Sequence, residues 1–291
     1  MLVPGHAHVS HLWRYVGVPL LILFCWDVLV TAAWYVTQES WDTFPALPLT
    51  LFGTAVAIYL SFRNATAYAR WWEARTLWGA MVNCSRTLVR DAWTLLDDAR
   101  VAREISYRQI AFVHALRLHL RRQKDRSELD GLLSEEEIAD LLSVANAPNA
   151  IALRTGALLS DASPDSIIRA AFARTLAEIS NAQGGMERIK NTPLPQQYSV
   201  YPVAFTHLFC ALLPFGLVEQ LGLLTPLGST VAGVLFLGLL QSGNDLQDPF
   251  ENGVNDVPMS AVTRGIEIDV RDGLRENHQL SPFPIEAGVL K

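Results

Sequence analysis

Four stretches of this chain are nearly free of charge, and each is long enough to cross a lipid bilayer as a helix. Residues 15–36 contain one charged side chain, Asp27, and residues 44–62 contain none. Residues 200–218 are again charge-free, Glu219 interrupts, and 220–244 carry no charge. About 20 apolar residues span a bilayer as a helix. Aromatic residues stand near both ends of the first run, as they do at membrane interfaces. The run lacks the short apolar core and small-residue cleavage site of a secretory signal, so a retained span is expected. Pro45 and Pro48 suit a helix entrance, and GLLTPLG at 222–228 reads as the turn between the third and fourth spans.

Only 18% of the 291 residues are charged, against about a quarter in soluble domains. The net charge of −6 comes without a basic stretch, which excludes nucleic acid as the main partner. Cys25, Cys84 and Cys210 are far apart and read as packing residues, not as a disulfide framework or zinc cluster.

Basic residues orient the bundle. The connection at 37–43 has Glu39 and Asp42 and no base, whereas Arg63, Arg70, Arg75 and Arg86 follow the second run and Arg188 and Lys190 precede the third. The long middle segment and both termini are therefore expected in the cytoplasm, beneath the inner (plasma) membrane. The middle has helical periodicity. Helices are expected over 86–123, over 130–144 with Ser134 and Glu137 as a capping box, and over 163–189 with Ser163 as cap and Pro164 in first position. The resulting division is 1–62 for the amino-terminal segment and spans one and two, 63–197 for a cytoplasmic helical region, 198–244 for spans three and four, and 245–291 for an acidic turn and carboxyl tail.

No phosphate loop, HExxH or GxSxG motif appears, so no enzymatic role and no cofactor is expected. His6, His8 and His11 offer imidazoles at close spacing, but no cysteine or carboxylate stands near them, and a solvated amino terminus is the favoured reading. His114 and His119, five apart, fall on different helix faces. Asp27 is either a functional intramembrane acid or a hydrogen-bonded neutral one facing neighbouring helices. Glu219 reads as interfacial. Thr54, Ile58, Phe62 and Thr66 form one stripe with a residue per turn, about 6 Å apart. That stripe either packs against another helix or lines an axis shared by several copies, with Ile58 and Phe62 as apolar rings that gate by dewetting. Asp245, Asp248, Glu251, Asn255 and Asp256 present hard oxygen ligands of the kind calcium takes, without EF-hand spacing. A turn capped by Asp256 before Val257-Pro258 explains the same residues.

Two stretches carry a resemblance. SFRNATAYARWWEARTLWGAMVNCSR at 61–86, with Arg70-Trp71-Trp72, and NDLQDPFENGVNDVPMSAVTRGIEI at 244–268, with Asp248-Pro249-Phe250, resemble the signature regions of the bacterial bestrophins. The resemblance implies an all-α fold: four transmembrane helices with a large cytoplasmic helical bundle, assembled as a homopentamer around one axial pore. It implies a neck at Thr54, Ile58 and Phe62, where Thr54 departs from a wholly apolar pattern and makes a wetter ring. It further implies a cytoplasmic constriction, for which Ile167, Ile168 and Phe172 are candidates, and a carboxyl tail strapped over a neighbouring subunit. Animal relatives clasp calcium after the matching Asn-Pro-Phe. Here one ligand position falls on Gly253, leaving Asp248 and Asp256 as weak metal candidates and no strong calcium activation expected. Net negative charge multiplied around a ring favours monovalent cations. An anion channel of the same architecture is the alternative, followed by a small secondary transporter using Asp27 and by a membrane-anchored scaffold. Membrane lipid and permeating ions are the other expected partners.

Overall fold

The structure, a computed structural model, describes residues 9–37, 46–125, 127–163, 165–285 and 288–290. Nine α-helices and no β-strand occur among them: α1 Val9–Thr37, α2 Ala46–Leu95, α3 Ala99–Leu120, α4 Glu135–Ser143, α5 Ala147–Ala162, α6 Ser166–Asn191, α7 Gln196–Leu221, α8 Thr225–Gln247 and α9 Met259–Gly273. His6, His8, Phe44, Pro45, Pro164 and the side chain of His11 lie outside the described residues.

The chain forms two compact units. The first contains α1, α2 up to Trp71, α7 and α8. Its core joins Val16 and Leu23 of α1, Leu49, Val56 and Leu60 of α2, Phe209 and Leu213 of α7, and Leu237 and Leu240 of α8. Phe209 sits 4.6 Å from Phe236 between ring centres, and tilted pairs of this kind add to area burial. Residues 16–37 of α1 and the stretch Gln196–Gln247 are long and apolar enough to cross a membrane. The turn between α7 and α8 is a 3₁₀ segment, Gly222–Leu224, opened by Gly222 at φ +52°, a left-handed conformation that glycine adopts without steric cost.

The second unit contains the rest of α2 with α3 to α6 and α9. Its centre is α3, which buries Ile105, Ile110, Ala111, Val113 and Leu116 completely. A helix buried nearly all round must also bury polar side chains, and these find partners: Gln109 donates to the Ser85 hydroxyl at 2.8 Å.

Local chemistry moved several helix ends from their expected places. The helix expected over 86–123 is two, because Asp98 accepts from the backbone N–H of Arg100 at 2.8 Å and caps α3. Ser134 does cap α4, accepting from Glu137 N–H at 3.3 Å. Ser163 is instead the end of α5, and Asp165 caps α6 by accepting from Ile167 N–H at 2.6 Å. Asp256 does not cap α9. Pro258 holds that position without a side-chain bond, and the Asp256 carboxylate accepts from the backbone N–H of Gly253 at 2.6 Å.

Candidate functional site: one face of the second helix

Helix α2 has two unlike faces within the first unit. Val56, Leu60, Arg63 and Ala67 are buried. On the opposite side Thr54, Ile58, Phe62 and Thr66 are exposed, Ile58 by 53% and Phe62 by 64%. Both threonine hydroxyls turn inward, donating to the carbonyl one turn back: Thr54 to Thr50 at 2.9 Å and Thr66 to Phe62 at 2.9 Å. Thr54 thus directs its proton to its own helix, which makes that position drier than a threonine free to bind water.

What holds this orientation is Arg63, which in the sequence alone marks only the cytoplasmic side. It is completely buried. Its guanidinium donates to the carbonyls of Tyr198 at 2.6 Å and Leu240 at 3.0 Å and to the side-chain oxygen of Asn244 at 2.5 Å. Gly243 leaves the room, since a Cβ there would overlap the guanidinium. One residue on, Asn64 donates to the carbonyl of Leu239 at 2.8 Å. The available signal was an arginine at the end of one apolar run with Asn244 and Gln247 at the end of another. In a low-dielectric core such a cation needs a full set of acceptors.

The acidic turn is organised by Lys190, which in the sequence marks only the cytoplasmic side. The Lys190 ammonium bonds Glu251 and lies 3.5 Å from Asp248, with only 7% of its side chain exposed. Lys190 holds the Glu251 carboxyl below its ordinary range, whereas burial first and Glu251 second push Asp248 up. Burial also raises Asp256, opposed by the Gly253 N–H. These residues do not fit a divalent cation: an ammonium is already shared by two of the carboxylates, the third is bonded to backbone, and Gly253 brings no oxygen. Among the described residues no group of three or more His, Cys, Asp or Glu side chains is arranged to hold a metal. Phe250 is fully buried and the Pro249 carbonyl accepts from Val257 N–H at 3.0 Å, so Asp248-Pro249-Phe250 anchors this turn.

Of the other expected site residues, Trp71 stacks on Tyr68 with 6.1 Å between centroids and Trp72 is exposed. Arg70 is half-buried. The candidates for a cytoplasmic constriction do not share a surface: Ile167 is exposed, Ile168 half-buried and Phe172 in the core. Glu219 is exposed in the last turn of α7, as an interfacial carboxylate would be. His114 and His119 point to different neighbours. His114 is buried between Glu128 at 2.9 Å from Nδ1 and Glu267 at 3.2 Å from Nε2, and His119 lies 3.7 Å from Glu187. A carboxylate stands against each ring nitrogen, an arrangement that favours the imidazolium, the form of His114 able to donate from both. Burial alone would lower its pKa; the bonds to Glu128 and Glu267 outweigh it and raise it. Glu128 is pulled down to about 2 by the His114 bond and then by Arg117.

A family model described as "Bacterial/Fungal Bestrophin protein" matches residues 9–272. The chain belongs to the bestrophin family. The "Voltage-dependent anion channel-forming protein YneE" of Escherichia coli K12 is 36% identical over 255 residues, covering 86% of this chain and 83% of that protein. The protein of the same description, RSc3414, from Ralstonia nicotianae is 34% identical over 294 residues and covers 95% of each. The crystal structure of a bacterial bestrophin homologue from Klebsiella pneumoniae superposes with a TM-score of 0.85 at 31% identity, covering 90% of this chain and all of that one. The expected all-α bestrophin fold is thereby established, and with it membership of an ion-channel family embedded in membranes.

Proposed function

We propose that this bestrophin is one subunit of a homopentameric channel whose axial neck is lined by Thr54, Ile58 and Phe62, and that it conducts monovalent anions. The observation that carries the neck is the exposed α2 stripe. The exposed α8 stripe of the same unit, Leu227, Val231, Leu235 and Leu239, is aliphatic, as lipid requires, whereas this one mixes hydroxyl-bearing and large apolar residues. Closed rings are the usual outcome of head-to-tail association, and a single subunit of four spans encloses no path of its own. The inner-membrane location, with both termini cytoplasmic, rests on the distribution of Arg and Lys.

The sign of the ion departs from the cations favoured by net charge. The curated relatives are named for anions. The described exposed face of α2 before Glu73 bears no carboxylate, and Glu73 itself is bonded to Arg188. Net charge counts residues anywhere in the chain, whereas selectivity depends on those beside the path. Recording purified protein in planar bilayers under a KCl gradient tests this: the reversal potential should move toward that of chloride. Movement toward potassium would restore the cation reading, and flux without unitary current steps would favour a carrier.

A further inference from the structure

The carboxyl group of Asp27 lies in the middle of α1 with no exposed surface, and neither of its oxygens has a hydrogen-bond partner. The Thr31 hydroxyl next to it bonds the Asp27 backbone carbonyl at 2.7 Å, not the carboxyl. Across α1 stand Ser229 of α8, also fully buried and without a partner for its hydroxyl, and Cys210 of α7, likewise buried. Between Val16 and Thr37, and throughout α7 and α8, there is no Lys or Arg. The acids of α7 and α8, Glu219 and Asp245, lie in or near the last turns of those helices. Among the described residues, the base that shares an outer groove with Trp26 and Cys210 is His207, exposed on α7 and bonded at 2.7 Å to the Val203 carbonyl.

One turn away α1 and α8 lie in close contact. Gly233 is four residues after Ser229, and a Cβ there would overlap Leu23, four residues before Asp27. The rungs Asp27–Ser229 and Leu23–Gly233 therefore belong to one tightly packed seam in which Asp27 and Ser229 have no exposed surface. A carboxylate in such a place, with no cation to meet it, is expensive. The neutral acid instead has a donor for the Ser229 oxygen.

We propose that Asp27 is a proton-binding site that fastens α1 to α8, and that losing the proton opens the seam to water and lowers ion conduction. In the step the Asp27 O–H bond breaks, the proton leaves to water, and the carboxylate keeps the electron pair and must be hydrated, which the closed seam forbids. The conduction arm of this proposal rests on the channel reading given above; the protonation arm does not.

Two measurements test it on the full-length protein. By infrared difference spectroscopy with aspartate carrying a ¹³C carboxyl, the wild type should show a protonated-acid carbonyl band that titrates away at alkaline pH, is missing in Asp27→Asn and shifts in Ser229→Ala. In liposomes the wild type should lose ion flux as pH rises while Asp27→Asn, permanently neutral and still a donor, keeps it, with His207→Gln following the wild type. A band that survives Asp27→Asn, or an Asp27→Asn flux that falls with pH as the wild type does, overturns the proposal. Should Asp27→Asn fail to assemble, a wild-type band indifferent to Ser229→Ala overturns it. Absence of flux in every protein, with the band behaving as expected, would count against the channel reading and leave the proton site standing.

Discussion

Two stripes of the membrane unit share a spacing and differ in chemistry. On α8, Leu227, Val231, Leu235 and Leu239 recur every four residues and are 63%, 56%, 63% and 45% exposed. On α2, Thr54, Ile58, Phe62 and Thr66 recur the same way, with similar exposure at the two large side chains. Exposure alone does not distinguish them. The aliphatic stripe suits lipid tails, which offer nothing to a hydroxyl. The mixed stripe presents two large apolar side chains between threonines whose protons are already bonded, the surface the proposed narrow path, dry at its waist, would need. What a face meets is written in its chemistry and in what fixes its direction, not in its spacing.

The strongest way to break the comparison is to let α2 turn. Arg63→Met should leave the Tyr198 and Leu240 carbonyls and the Asn244 side chain without a donor in a low-dielectric core. Summed over these groups the loss is about 3 kcal/mol or more, enough to prevent assembly in detergent. A variant that melts like the wild type would show that other contacts orient the stripe.

In the second unit, burial again follows partners, at smaller cost. His114→Gln removes a buried ring bonded at both nitrogens and should destabilise the unit by about 2 kcal/mol. The pH dependence has two limbs. His114 has a raised pKa, so its contribution is complete below the ordinary value of 6.5 and is lost as pH rises through the folded value above that. Glu128 has a lowered one, so its contribution is complete above 4.5 and is lost as pH falls toward about 2. Melting temperature should therefore peak between these limits in the wild type and flatten in His114→Gln.

Lys190→Gln should cost about 1 kcal/mol, because both carboxylates it joins are partly exposed and solvent screens the pair. In the wild type, chelating calcium should leave conductance unchanged, and a steep calcium dependence would mean that the acidic turn binds metal after all. The smallest effect is expected at Leu235→Ser, on the aliphatic stripe. One lipid-facing hydroxyl can return its proton to the helix, as Thr54 does, so conductance should not change.

Much of this was legible in the chain. The apolar runs marked the stretches at 16–37 and 196–247 that are long and apolar enough to cross a membrane, and the Arg70-Trp71-Trp72 and Asp248-Pro249-Phe250 stretches pointed to the family, because these are properties of consecutive residues. The Ser134 cap was readable for the same reason. Less legible were effects of partners distant in sequence. Arg63 read as a surface charge because its acceptors lie 135 to 181 residues away. Lys190 read as a topology marker until Glu251 stood against it. Asp98 and Asp165 outcompeted the expected helix pattern through bonds to N–H groups only two residues on, and no apolar periodicity reports such bonds. The sign of the permeant ion was inferred from total charge, which carries no position.

The central claim is that the exposed α2 stripe borders the ion path, and single-channel recording of Ile58→Ala with Phe62→Ala tests it most directly. Truncating both rings removes the dry waist, where a passing ion loses water and gains no partner. Unitary conductance or open probability should rise, with the sign of the permeant ion unchanged. If the double variant assembles as the wild type does and both quantities stay the same, the stripe is a packing surface and the path runs along another helix.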